Sequence, residues 1–99
     1  MDTLHKLEVL KDAYPDETEL DRVVGRIVDM TLSQHRLRLE RYERDLREFE
    51  RRYDMESKTF YQRFDAGELG DAMDFFEWAG LYELRQDLLE KIRRLESAL

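Results

Sequence analysis

The sequence predicts an all-α protein, in which a long helix is followed by a short helix and a returning C-terminal helix as a helical hairpin with coiled-coil-like packing. Three observations predict it. The 99-residue chain has one proline and four glycines, so few positions interrupt a helix. Charged residues make up 41% of it, with Leu, Glu, Arg and Asp prominent, which is the composition of helices and coiled coils. From Val28 onward, Leu32, His35, Leu39, Tyr42, Leu46, Phe49 and Tyr53 follow at strict intervals of four and three, which is a heptad seam.

A short helix is expected within residues 1–15. Thr3 can cap it, and Leu4, Leu7, Val9 and Leu10 give it an apolar side. Tyr14-Pro15 stops it, because proline disfavours the helical conformation in the residue before it.

The long helix is expected over residues 18–53. Asp16 and Glu17 place acids where the positive end of its dipole begins. At ~100° per residue, Leu20, Val24, Ile27 and Thr31 share one arc with the seam. Arg36, Arg44, Arg47 and Arg51 fall on the far face. Glu40–Arg44, Glu43–Arg47 and Glu48–Arg52 stand four apart in the favourable order. Such a helix is ~54 Å long, whereas a compact hundred-residue domain has a radius of gyration of ~13 Å. Either the helix breaks near Gly25 or Thr31–Ser33, or a second chain covers the seam. The second outcome is expected: a homodimer held through Val28, Leu32, His35, Leu39, Tyr42, Leu46 and Phe49.

After a turn at Asp54–Ser57, with Ser57 as the cap, a short helix is expected over 58–66. It presents Phe60, Tyr61 and Phe64, and Gly67 ends it. The last helix is expected over 72–97, capped by Asp71 or Asp74. Phe75, Trp78, Leu81, Tyr82, Leu88, Leu89, Ile92, Leu95 and Leu99 form its apolar arc, with Arg85 in the middle.

The net charge is −7. The segment 31–53 is the one with more bases than acids, seven arginines against five carboxylates. A chain of this balance is a poor general binder of nucleic acid, because phosphate contacts need positive potential. The arginines also alternate with Glu40, Glu43, Asp45, Glu48 and Glu50, which repel phosphate. Direct nucleic-acid binding is therefore not expected, and a basic protein suits the chain better. The absence of cysteine excludes disulfides and thiolate metal sites. No apolar run reaches the ~18 residues of a membrane span. The first residues lack the basic-then-apolar pattern of a signal peptide, so no membrane association and a cytoplasmic location are expected.

The chemistry of a catalyst is missing. There is no phosphate-binding glycine loop and no cysteine nucleophile, and His5 and His35 are isolated. His35 lies on the seam, where a polar side chain sets register; a pH-responsive or metal role is the alternative. The arrangement of the helical RNases of toxin systems, an Arg followed four to six residues later by His, does not occur. No Glu-x-x-His motif supports a di-metal bundle. Asp71, Asp74 and Glu77 read as acids around a helix start. No cofactor, metal or enzymatic activity is expected.

Seven of the eleven aromatic residues lie between Phe60 and Tyr82. They are either the core where the helices meet or part of an interface, where large rings and arginines are enriched. Trp78 and Phe76 project about 160° apart on a helix. Trp78 shares a side with Tyr82 and Leu89 and is assigned to the core, which leaves Phe76 at the surface. Phe76, Tyr61, Asp71 and Glu77 are the partner-binding candidates. Arg85 joins them as an arginine placed to be desolvated against a carboxylate.

The run from Tyr42 to Ile92 resembles a group of short helical proteins of bacteria and archaea that are encoded beside small toxins and regarded as antitoxins of toxin–antitoxin pairs. Phe49-Glu50 before Tyr53, Met55, Phe60, Phe64, Gly67-Glu68-Leu69-Gly70-Asp71, Asp74, Phe76-Glu77-Trp78 and Leu81 carry the resemblance. The pattern has glycine after the tyrosine, where this chain has Asp54, a residue that tolerates a left-handed turn. Residues 1–40 have no part in it. The resemblance implies a non-enzymatic antitoxin that sits on a small basic toxin. The alternative is a homodimeric structural or adaptor protein with no toxin partner. A small basic reading frame next to the gene supports the first, and an isolated gene supports the second.

Overall fold

The computed structural model describes residues 2–14 and 16–99. Pro15, expected to end the first helix, lies outside the described residues. Four helices make up the fold: α1 (Thr3–Ala13), α2 (Glu17–Tyr53), α3 (Ser57–Asp65) and α4 (Met73–Ser97). There is no strand among the described residues.

Short polar side chains start the first two helices. Asp2, rather than Thr3, caps α1, its Oδ1 accepting the His5 N–H at 2.8 Å. Asp16 caps α2 by accepting the Thr18 N–H at 2.9 Å. Neither Gly25 nor Thr31–Ser33 breaks α2, which runs for 37 residues. It ends at Asp54, which adopts the left-handed conformation (φ 50°, ψ 51°). α3 ends at Gly67, whose φ of 74° is cheap only for a residue without Cβ.

Two expected caps are corrected. Ser57 is the first residue of α3, and Glu56 stands at the cap position without a side-chain bond. The Ser57 N–H instead donates to Glu50 Oε2 at 2.8 Å, which places a carboxylate at the positive end of α3. Ala72, not Asp71 or Asp74, precedes α4. Asp74 lies in the first turn and is taken up by α2, as described below.

α4 folds back antiparallel along α2 and buries the seam from within the chain. At the open end, Leu32, Leu88 and Ile92 are buried with Leu39, Tyr42 and Leu95 packed against them. At the closed end, Leu46, Phe60, Trp78 and Ala79 form the main core where α2, α3 and α4 meet. Three cross-helix ion pairs follow in reverse order along α4: Arg36–Glu96 (3.3 Å), Glu43–Arg85 (3.3 Å) and Arg52–Asp74 (2.8 Å). Exposed pairs of this kind contribute ~1 kcal/mol or less each. They mark register more than they hold the fold, which rests on apolar burial.

This arrangement removes the ground for giving the seam to a second copy. The segment Leu32–Tyr53 is ~33 Å long, and the 25 residues of α4 span ~37 Å. One returning helix is therefore long enough to cover it. His35 also stands in this intrachain seam, its Nδ1 buried with no protein partner.

What α4 leaves bare is the start of the chain. Residues 17–31 of α2 project ~22 Å beyond the Leu32 layer, and α1 has no buried residue. The molecule is an elongated body of 60 × 24 × 18 Å with a Cα radius of gyration of 19.5 Å.

Candidate functional site

The seven rings between Phe60 and Tyr82 split between core and surface. Trp78 is 0% exposed. Its indole stacks on Phe60 at 3.7 Å between centroids and lies 5.6 Å from Phe49 and 5.7 Å from Tyr53. Its Nε1–H donates to Ser57 Oγ at 3.0 Å, which satisfies the one polar atom buried with it. Phe76, on the opposite side of α4, is 55% exposed and touches Phe64 edge-on at 5.4 Å.

Phe76 forms one end of a groove of about 790 Å³ between α2 and α4. Phe49, Phe76, Gly80, Leu81 and Leu84 make its floor. Its remaining lining residues are Asp45 and Glu48 from α2 and Glu77, Glu83 and Asp87 from α4. All five are carboxylates, and no lysine or arginine lines the groove. The floor follows from helical spacing. Phe76, Gly80 and Leu84 are four apart on α4, and a Cβ on Gly80 would meet nothing within 4 Å, so the groove is open above it. The charge follows from register: antiparallel packing sets Asp45 and Glu48 across from the acids of α4.

Of the five partner-binding candidates, the structure brings Phe76 and Glu77 together in this groove. Tyr61 reaches its edge from α3, its hydroxyl donating to Glu83 Oε1 at 2.6 Å and its ring stacking on Tyr82 at 4.7 Å. Asp71 stands exposed in the connector, away from the groove. Arg85 faces the other side of the hairpin. There it bonds Glu43 from a second groove of about 650 Å³, where Arg47 and Lys58 offset Glu50 and Glu56. Its carboxylate is thus supplied by its own chain.

Sequence reasoning missed Gly80, Glu83, Leu84 and Asp87, and read Asp45 and Glu48 only as carboxylates that repel phosphate. The spacing of Phe76, Gly80 and Leu84 was a usable signal. The pairing of Asp45 and Glu48 with α4 needs the hairpin register, which no local pattern states.

At the closed end, the Tyr53 hydroxyl donates to Asp74 Oδ2 at 2.5 Å and Arg52 donates to the same oxygen at 2.8 Å. The tyrosine bond, then the arginine, holds the Asp74 carboxyl below its usual range. Because the fold favours the ionised form, this contribution is complete above pH 3.8, the ordinary value. It is lost as pH falls through the lowered folded value. Tyr61 shows the opposite sign: the bond to Glu83 pushes its phenol up to about 12 from 10.0. Its contribution is complete below pH 10 and is lost as pH rises through about 12. A tyrosinate absorbance titration is expected to show Tyr61 ionising last-phase, near 12, and Glu83→Gln is expected to return it toward 10. A Tyr61 that ionises at its ordinary value of 10.0 would contradict the α3–α4 hydrogen bond.

No group of three or more His, Cys, Asp or Glu side chains is placed to hold a metal ion among the described residues. No described helix is long and apolar enough to cross a membrane. No family model, curated protein or solved structure matches the chain.

Proposed function

We propose that this chain is a non-enzymatic protein-binding module, the antitoxin of a toxin–antitoxin pair, which neutralises a small basic toxin by docking it in the acidic groove of α2 and α4. The observation that carries the reading is the groove itself: an apolar floor of Phe49, Phe76, Gly80, Leu81 and Leu84 lined otherwise only by carboxylates. Apolar side chains of a partner would supply affinity there, centred on one or two buried rings. The carboxylates would attract lysines and arginines, speed encounter and reject acidic competitors. The resemblance of Tyr42–Ile92 to antitoxins supports the identity of that partner, and a cytoplasmic location goes with it.

The test is coexpression of the chain with the small basic reading frame beside its gene. Relief of growth arrest, weakened by Glu77→Lys with Asp87→Lys, is the expected result. Persistent arrest in the presence of the folded chain would sink the antitoxin reading. The second reading, a structural or adaptor protein that works as a homodimer without a toxin, is favoured by the uncovered face of α2. An isolated gene would support it.

A further inference from the structure

Besides the seam that α4 covers, α2 carries a second one. Leu20, Val23, Ile27, Met30, Gln34, Leu37, Arg41 and Arg44 recur at intervals of three and four over the same helix. Val23, Met30, Gln34 and Leu37 lie on the side turned away from α4, and Leu20 and Ile27 stand at the border between this stripe and the first seam. Val23, Ile27, Met30 and Leu37 are 38%, 58%, 63% and 64% exposed. Gln34, Leu37, Arg38, Glu40, Arg41 and Arg44 border a shallow groove of about 510 Å³, in which one carboxylate stands among three arginines. A lone chain gains nothing by holding four large aliphatic side chains in water along one helical stripe, and contiguous patches of this kind mark interfaces.

The charges beside the stripe are sorted by end. Asp16, Glu17 and Glu19 stand at its start, and Arg38, Arg41 and Arg44 at its finish. None of the six has an ion-pair partner among the described residues. Two parallel copies would put acids against acids and arginines against arginines. Two antiparallel copies put each acidic end against a basic end.

We infer that two copies of this chain pair antiparallel through the second seam of α2. One register matches the apolar positions and two of the charge pairs together, with Glu17 level with Glu40 as its like-charged exception. Ile27 meets Met30 of the other copy at the centre, Leu20 meets Leu37, Glu19 meets Arg38, and Asp16 meets Arg41. Val23 and Gln34 share the layer between, where a polar residue pins register. The pairing is isologous, as closed dimers require, and spans residues 16–41, ~38 Å of helix. It covers the projecting part of α2 that α4 leaves bare, and it leaves the Phe76 groove open. It stands or falls separately from the antitoxin reading.

Light scattering on the full chain at high micromolar concentration is expected to give roughly twice the 12.1 kDa chain mass. Ile27→Asp is expected to raise the dissociation constant at least ~30-fold, the loss of a hot spot, with the helical far-UV signal retained. Glu19→Arg and Arg38→Glu are each expected to weaken the dimer, and the double variant to restore it. The chain has no cysteine, so orientation can be read directly. A mixture of Leu20→Cys and Leu37→Cys chains is expected to form the mixed disulfide on mild oxidation, while neither variant alone cross-links. A monomer at high micromolar concentration, or a Leu37→Cys chain that cross-links to itself, overturns the inference.

Discussion

Trp78→Ala is expected to lower the free energy of unfolding by ~3–5 kcal/mol, as complete loss of a large buried ring does. The fully buried indole touches all three packed helices, as the half-buried ring of Phe75 beside it also does. The indole stacks on Phe60 of α3, lies beside Phe49 and Tyr53 of α2, and belongs itself to α4. Its removal opens a cavity at the centre of the main apolar cluster that joins the three helices. It also strips the Ser57 hydroxyl of its donor, and an unsatisfied buried polar group costs ~1–3 kcal/mol. With total stabilities of ~5–15 kcal/mol for domains of this kind, the variant will melt in mild denaturant. Urea unfolding followed by far-UV circular dichroism measures the loss. A cost near that of an ordinary surface substitution, ~0.5 kcal/mol, would show that the three-helix junction is not the centre of stability.

Phe76→Ala is expected to do the reverse. The fold should lose only about the value of its one edge-on contact with Phe64, ~0.5–1.5 kcal/mol. Partner binding should weaken by ~2 kcal/mol or more, a drop of roughly thirtyfold, because the ring ends the apolar floor of the groove. The comparison is informative because the two rings are two residues apart. Calorimetric titration of each variant against the proposed basic partner separates them. Binding that survives Phe76→Ala unchanged, in a variant shown to be folded, would move the site elsewhere.

Much of this architecture is legible in the chain before any coordinates. The four-three spacing from Val28 to Tyr53 announces a single long helix. The helical angle between Phe76 and Trp78 separates an exposed ring from a buried one. Gly67 marks the end of a helix because its backbone is left-handed. Other features need the third dimension. Ser57 looks like a cap from its neighbours, and only the arrival of Trp78 from α4 makes it a buried hydrogen-bond acceptor. Asp74 looks like an N-terminal acid, and only the return of α4 beside α2 places it under Tyr53 and Arg52. Arg85 advertises a carboxylate partner, but nothing local says that Glu43 of the same chain supplies it. The groove is the clearest case, since its charge comes from two helices whose mutual register is a property of the packed hairpin. The cover over the seam is hidden for a related reason: the length of α2 exceeds a compact domain, and only the hairpin shows that α4 of the same chain lies along Leu32–Tyr53.

The extended shape also governs how the molecule moves through solution. A body whose longest dimension is 60 Å against 24 Å and 18 Å drags more solvent than a sphere of equal mass. It will elute from a sizing column ahead of globular standards, and a single chain can pass there for two. Antiparallel pairing along α2 overlaps two such rods only over residues 16–41, so the dimer is longer than either copy and its frictional ratio rises further. Sedimentation velocity therefore reports geometry as well as stoichiometry. Side-by-side burial of the first seam would give a stubby particle, whereas pairing through the second gives a slender one of the same mass.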